Sequence, residues 1–202
     1  MTSIGQGRGR FGRATTAHLR PLRRWAGVAL GVASLAGGAR AEAQGYPFSQ
    51  RGSVTQSVAH TTIAVEYGRP VARGRALYGQ LVPWDSVWHP GADSATRISF
   101  DHPVQLEGRE VKAGEYSIWL VPRASRPWTV ILSRAAHTFH KPYPGAANDA
   151  YRFDVTPEKG AHMESLAIYF PSVLRADAVL RIHWGETIVP LRVSAPYRPG
   201  GA

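Results

Sequence analysis

The sequence predicts an all-β fold, a single antiparallel two-sheet sandwich of jelly-roll or Greek-key type with one long loop bearing arginine and tryptophan. Three observations carry that reading. Beyond Gln44 the apolar and β-branched residues recur with a period of two rather than 3.6. The runs are short and are broken by Gly, Pro and Asp. Nine or ten such runs share one small domain, which is the signature of stacked antiparallel sheets. The chain has no cysteine, so neither a disulfide nor a thiolate metal site supports the fold, which must stand on its buried core.

The first clear strand covers residues 60–67, where Thr61, Ile63, Val65 and Tyr67 share one face and Thr62, Ala64 and Glu66 the other. Residues 53–57 precede it as a short pairing strand. Ile98 and Phe100 mark the next, and Val104 and Leu106 lead to a Glu107-Gly108 turn that hands over to 109–111. Residues 115–121 and 128–132 read as hairpin partners across the turn chemistry of 122–127. Strands at 151–155, 165–170, 178–184 and 187–193 complete the set, with Trp184-Gly185-Glu186 as a tight turn between the last two. Arg181 and His183 alternate with Leu180 and Ile182, which marks an exposed face. Trp119, Trp128 and Trp184 follow strand alternation as core or rim packing.

The formal charge of +10 suggests a nucleic-acid partner until its location is considered. Seven of the 24 basic residues (Arg8, Arg10, Arg13, Arg20, Arg23, Arg24 and Arg40) lie in the first 41 positions, which hold no acid. The remainder carries 17 basic against 14 acidic groups, an ordinary surface balance that removes the case for nucleic acid. The leader itself is basic, then apolar from Trp25 to Leu35, then Ala39-Arg40-Ala41, the order of a secretory signal. Its apolar run is far shorter than the ~20 residues that span a bilayer, so no transmembrane anchor is expected after processing. The expected organisation is a signal peptide at 1–41, a β-sandwich domain at 42–195 and a flexible tail at 196–202, exported to the periplasm or beyond the cell.

Two stretches depart from strand pattern. Residues 68–93 combine Arg69, Arg73, Arg75, Trp84, Trp88, His89 and Asp93 with glycines and prolines that forbid a long helix. Guanidinium forks bind carboxylate or phosphate, and indole faces stack on rings, so these seven residues form the candidate ligand site. The competing structural reading pairs the arginines with Glu66, Asp85 and Asp93 and uses the tryptophans as a plug. Residues 134–150 form a second long loop, of a length that is commonly functional. With His89 and Asp93, its His137 and His140 define a candidate metal set, although Pro142 and Pro144 oppose the helix that would align an HxxH pair.

These residues also carry a resemblance. Tyr67, Arg69 and Pro70, the Arg-Gly-Arg of 73–75, the 79–83 run, Val87-Trp88 with Gly91-Ala92, the AGEYSIW stretch of 113–119, Trp128-Thr129-Val130 and Glu164 together resemble a bacterial family catalogued as domain of unknown function 2911. The resemblance covers residues 48–193 and implies an exported, compact β domain with no assigned activity. Where the family pattern reads Trp-Arg-Thr-Gly-Ala-Asn, this chain has Trp88-His89-Pro90-Gly91-Ala92-Asp93, exchanging a fixed cation and an amide for an imidazole and a carboxylate.

Catalytic signatures are weak. There is no GxSxG elbow, HExxH pair or phosphate loop, and the acid pairs Glu107 with Glu110 and Asp149 with Asp154 lie beside turns, where solvated surface is expected. The leading expectation is therefore a non-catalytic envelope or secreted protein that binds a small polar or anionic ligand, or a glycan, through residues 68–93. The alternatives are a metal-dependent hydrolase using His89, His137 and His140, and a structural or protein-interaction domain of the cell envelope. No cofactor is expected beyond the divalent metal of the hydrolase alternative.

Overall fold

The computed structural model describes residues 48–196, so the expected signal at 1–41 and the tail beyond Pro196 lie outside the described residues. Ten strands form two antiparallel sheets, as the period of two requires. β1 (Gln50–Val58) and β2 (Thr61–Arg69) make an unbroken hairpin from the Gln50↔Arg69 pair to Val58↔Thr61. Ile63 and Val65 point inward and Thr62 and Glu66 outward, as their alternation dictates. β3 (Arg97–Phe100) adds to β2, and β6 (Gly114–Val121), β7 (Trp128–Ser133) and β8 (Asp149–Val155) follow, giving a six-stranded sheet of order β1-β2-β3-β6-β7-β8. The short β4 (Val104–Leu106) and β5 (Arg109–Val111) leave it to join β9 (Glu158–Leu174) and β10 (Asp177–Ser194) in the order β5-β4-β10-β9.

One apolar cluster fills the space between the sheets, with Ile63, Ile98, Ile118 and Leu120 from the first and Leu166, Leu180 and Leu191 from the second. Full burial of each such side chain contributes about 1.5–3 kcal/mol, which a chain without cystine depends on. β6 is buried on both faces from Tyr116 onward. Its other side carries Trp119 and Val121 into a second, smaller cluster with Ala95 and Ile131, against which Tyr143 of the 134–150 loop packs. The sheets are also joined by polar bonds. The Tyr67 hydroxyl donates to the Ile168 carbonyl at 3.3 Å and accepts its N–H at 3.0 Å. Just beyond β2, the Leu166 N–H reaches the Pro70 carbonyl at 2.9 Å and the Ala72 N–H reaches Glu164 at 2.8 Å.

Two expectations at the C-terminal end are corrected. Trp184-Gly185-Glu186 is no turn. β10 runs straight through it, with Gly185 opposite Met163 at φ 59° and register shifts on both sides. β9 begins at Glu158, earlier than expected, so it supplies pairing partners beyond Gly185 and the chain bulges instead of reversing. The same early start buries His183, which is 4% exposed rather than on a solvent face. Its Nε2 donates to the Ala161 carbonyl at 3.0 Å, and its Nδ1 lies 3.2 Å from the Tyr169 hydroxyl.

Candidate functional site

Apart from Gly68 and Arg69, which end β2, and Asp149 and Ala150, which begin β8, both irregular stretches lie outside the sheets, and backbone bonds sew them together. The Ala95 N–H donates to the Thr138 carbonyl and the His140 N–H to the Asp93 carbonyl, each at 2.9 Å, around a Ser94↔Phe139 bridge. The 68–93 excursion is pulled tight by Trp88, whose N–H and carbonyl each bond Leu120 at 2.7 Å. It also carries three non-glycine residues at positive φ, Arg73 (53°), Asp85 (57°) and Asp93 (61°). Backbone held in that region is sustained only by surrounding contacts, and at Arg73 the contact is its N–H on Glu164 Oε1 at 2.6 Å. The His162 imidazole on the same carboxylate, aided by that N–H, holds Glu164 below the usual carboxylate range.

Between the two loops lies a cavity of about 450 Å³. Of the seven candidate ligand residues, Arg73, Arg75, Trp88, His89 and Asp93 line it. Arg69 and Trp84 do not. Arg69 spends its Nε on the Leu166 carbonyl at 3.1 Å, part of the seam between the sheets. Trp84 stacks on Tyr78 at 6.2 Å and meets Trp128 edge-on, in a separate groove with Arg123 and Arg126.

The arginines do not end on the acids of the competing reading. Glu66 takes Arg97 at 2.8 Å, and Asp85 takes Arg126 at 2.8 Å. Arg75 uses Nη2 and Nε on the Val71 and Ala72 carbonyls of its own loop, at 2.6 and 2.8 Å. Arg73 lies with its guanidinium 4.0 Å from the Phe48 ring centroid. Among the described residues, Arg73, Arg75 and the lining residue Lys141 form no ion pair. Three fixed cations thus face one lining carboxylate, Asp93.

His89 is 4% exposed, and its Nε2 accepts the Thr96 N–H at 2.5 Å. Burial, reinforced by the positive potential of His140 and Arg51, pushes its pKa down to about 3. The imidazole is therefore neutral with its proton on Nδ1. His140 stacks over it at 6.3 Å and donates its own Nδ1–H to the Asp93 carbonyl at 2.9 Å.

The third histidine of the candidate metal set is elsewhere. His137 bonds Glu115 at 2.7 Å and lies 3.2 Å from Arg97 in a cleft of its own. Among the described residues no group of three or more His, Asp and Glu is disposed to hold a metal ion. Asp149 is not the solvated acid expected of a turn position. Its side chain is 9% exposed, accepts the Tyr143 hydroxyl, and pairs with Arg152 at 2.6 Å.

Trp119 and Trp184, read from the sequence as packing, are core side chains, 1% and 3% exposed, that back the cavity. Trp119 and Tyr143 meet edge-to-face at 5.2 Å, and Trp88 stacks on Trp184 at 6.0 Å and 13°. Lys141 and His140 come from the loop already singled out for its length, but no spacing connected them to Arg73. Only the doubled apolar faces of β6 hinted that the second loop covers Trp119.

The fold and cavity define a class: a two-sheet antiparallel β protein with a cation-bearing cavity between two loops. The chain belongs to the family described as "Protein of unknown function (DUF2911)", which matches residues 49–193 and so takes in both sheets and both loops. Neither the curated proteins nor the solved structures contain a significant match.

Proposed function

We propose that this is an exported binding protein whose cavity between residues 68–93 and 134–150 takes a small anionic ligand. The observation that carries the reading is that Arg73, Arg75 and Lys141 line one cavity and, among the described residues, none of them forms an ion pair, the Glu164 carboxylate acting on Arg75 only from a distance. Guanidinium and ammonium groups that outnumber the carboxylates around them and are bonded to none favour an anion from solution. The volume, about 450 Å³, lies within the ~300–1,000 Å³ usual for small-molecule sites. Export rests on the basic, apolar, Ala-X-Ala order of the leader.

Thermal-shift and calorimetric titration of the purified protein with small carboxylates and phosphates tests the binding half. The expected result is stabilisation by at least one anion that Lys141→Gln weakens several-fold. Absence of any anion response in the parent protein overturns it. Export is tested separately by N-terminal sequencing of protein recovered from periplasm and medium, with processing after Ala41 expected.

A further inference from the structure

Resting on that reading, we infer that the ligand is an amphiphilic anion, a charged head joined to an apolar group, rather than a wholly hydrophilic one such as inorganic phosphate or a sugar acid. The first reason is where the exposed apolar surface lies. Among the described residues seven large hydrophobic side chains are exposed, and three of them, Phe48 (73%), Leu81 (43%) and Val87 (39%), line the cavity that Arg73, Arg75 and Lys141 also line. The cleft at His137 and the groove at Trp84 hold one each, Phe139 and Trp84 itself. Single exposed apolar side chains are ordinary on a protein surface, but several that face one concavity rimmed by charge mark a binding groove.

The second reason is that this apolar surface is fixed beside the cations. Leu81 sits in a closed turn six residues beyond Arg75, where its N–H reaches the Ala76 carbonyl at 3.3 Å and the next N–H, of Val82, reaches the Leu77 carbonyl at 2.8 Å. Val87 precedes Trp88, which is bonded to Leu120 through both its N–H and its carbonyl. The Phe48 ring lies 4.0 Å from the Arg73 guanidinium, so apolar surface and positive charge adjoin directly. A hydrophilic anion would leave Leu81 and Val87 in water. An anion with an apolar group covers them while its head meets the cations, and the hydrophobic gain adds to the electrostatic one.

The test is calorimetric titration of the full chain as purified with acetate, butanoate and hexanoate, with gluconate and 1-hexanol as six-carbon controls that lack the apolar chain and the charge respectively. Inorganic phosphate and hexyl phosphate repeat the comparison for a phosphate head. Affinity is expected to rise roughly two- to fourfold per methylene from acetate to hexanoate, as burial of each CH₂ predicts, and from phosphate to hexyl phosphate. Hexanoate should bind far more tightly than gluconate, and 1-hexanol should not bind measurably. Leu81→Ser combined with Val87→Ser, both exposed positions, should flatten the chain-length series with acetate affinity and melting temperature unchanged, whereas Lys141→Gln should weaken every anion alike. If acetate or phosphate binds and Lys141→Gln weakens it, but the alkyl forms bind no more tightly or the serine pair leaves their advantage intact, the amphiphile assignment falls while the anion site stands. If 1-hexanol binds as tightly as hexanoate, or if no compound binds, both fall.

Discussion

His140 donates twice to a single acceptor, its backbone N–H and its Nδ1–H both reaching the Asp93 carbonyl at 2.9 Å. That carbonyl belongs to a residue at φ 61°, so one imidazole holds both the second loop and the left-handed turn of the first. Loss of one such bond costs about 1 kcal/mol, a few degrees of melting temperature in a domain of this size. His140→Ala should show that loss by calorimetry together with weaker anion binding, and His140→Asn, whose amide still donates, should recover part of it. Unchanged melting of the alanine variant would show that the loops are held together without this contact.

Glycine at 68 is dictated by space. A Cβ there would fall inside the Ala92 carbonyl where the first loop returns against β2, and backbone on both sides leaves little room to yield. Gly68→Ala should destabilise the fold by about 1–3 kcal/mol. Gly74, at φ 66° with nothing within 4 Å of an added Cβ, provides the contrast, since alanine there meets only the backbone cost of about 1 kcal/mol. Denaturant melts that placed the two variants in the opposite order would refute the packing argument.

His89 makes stability depend on pH in a definite direction. The unfolded imidazole takes up a proton near pH 6.5, whereas the folded one stays neutral down to about 3. Between those values the unfolded chain binds more protons, so this contribution is complete above 6.5 and is lost as the pH falls. At pH 5 the loss from this group is about 2 kcal/mol. Replacing it with glutamine, which can still accept the Thr96 N–H, should flatten the stability curve between pH 7 and 5 by that amount. Parallel curves for the two proteins would mean that the buried imidazole is protonated after all.

Tyr143 should ionise late. Burial, with the Asp149 carboxylate beside it, pushes its pKa up to about 12. Absorbance titration at high pH should lose one late-titrating group in Tyr143→Phe. Asp149→Asn should bring that group only part of the way back, because burial is the larger cause. A full return to the ordinary tyrosine range would assign the shift to the charge alone.

The two candidate ligand residues that the fold places elsewhere give a negative control. Arg69→Ala removes a bond to the Leu166 carbonyl and Trp84→Ala strips the ring stacked on Tyr78, so both should lower stability by about 1–3 kcal/mol. Neither should change anion affinity in protein that remains folded at the assay temperature. A tenfold loss of binding in either would extend the site beyond the cavity described.

Much of the fold was legible because the period of two is a local signal. The alternation of Thr61, Ile63, Val65 and Tyr67 fixes one face of β2 whatever lies opposite, and the missing period at 68–93 and 134–150 marked both loops. The turn expected at Trp184-Gly185-Glu186 failed for a non-local reason. Glycine between two strand-like runs reads equally as reversal or bulge, and the choice depends on whether β9 extends far enough to pair beyond it. His183 was misplaced for the same cause.

By itself the sequence determined that a cysteine-free chain would build antiparallel sheets around an apolar core and exclude two Arg- and His-bearing stretches from them. Tertiary structure alone decided which of those side chains meet. It turned Arg69 into a seam between sheets, sent Trp84 and His137 to other grooves, and brought Lys141 and Tyr143 beside Arg75 and Trp119. Strand faces are written at spacings of two residues. A cavity is set by contacts between segments some 50 residues apart, where no periodic pattern reaches.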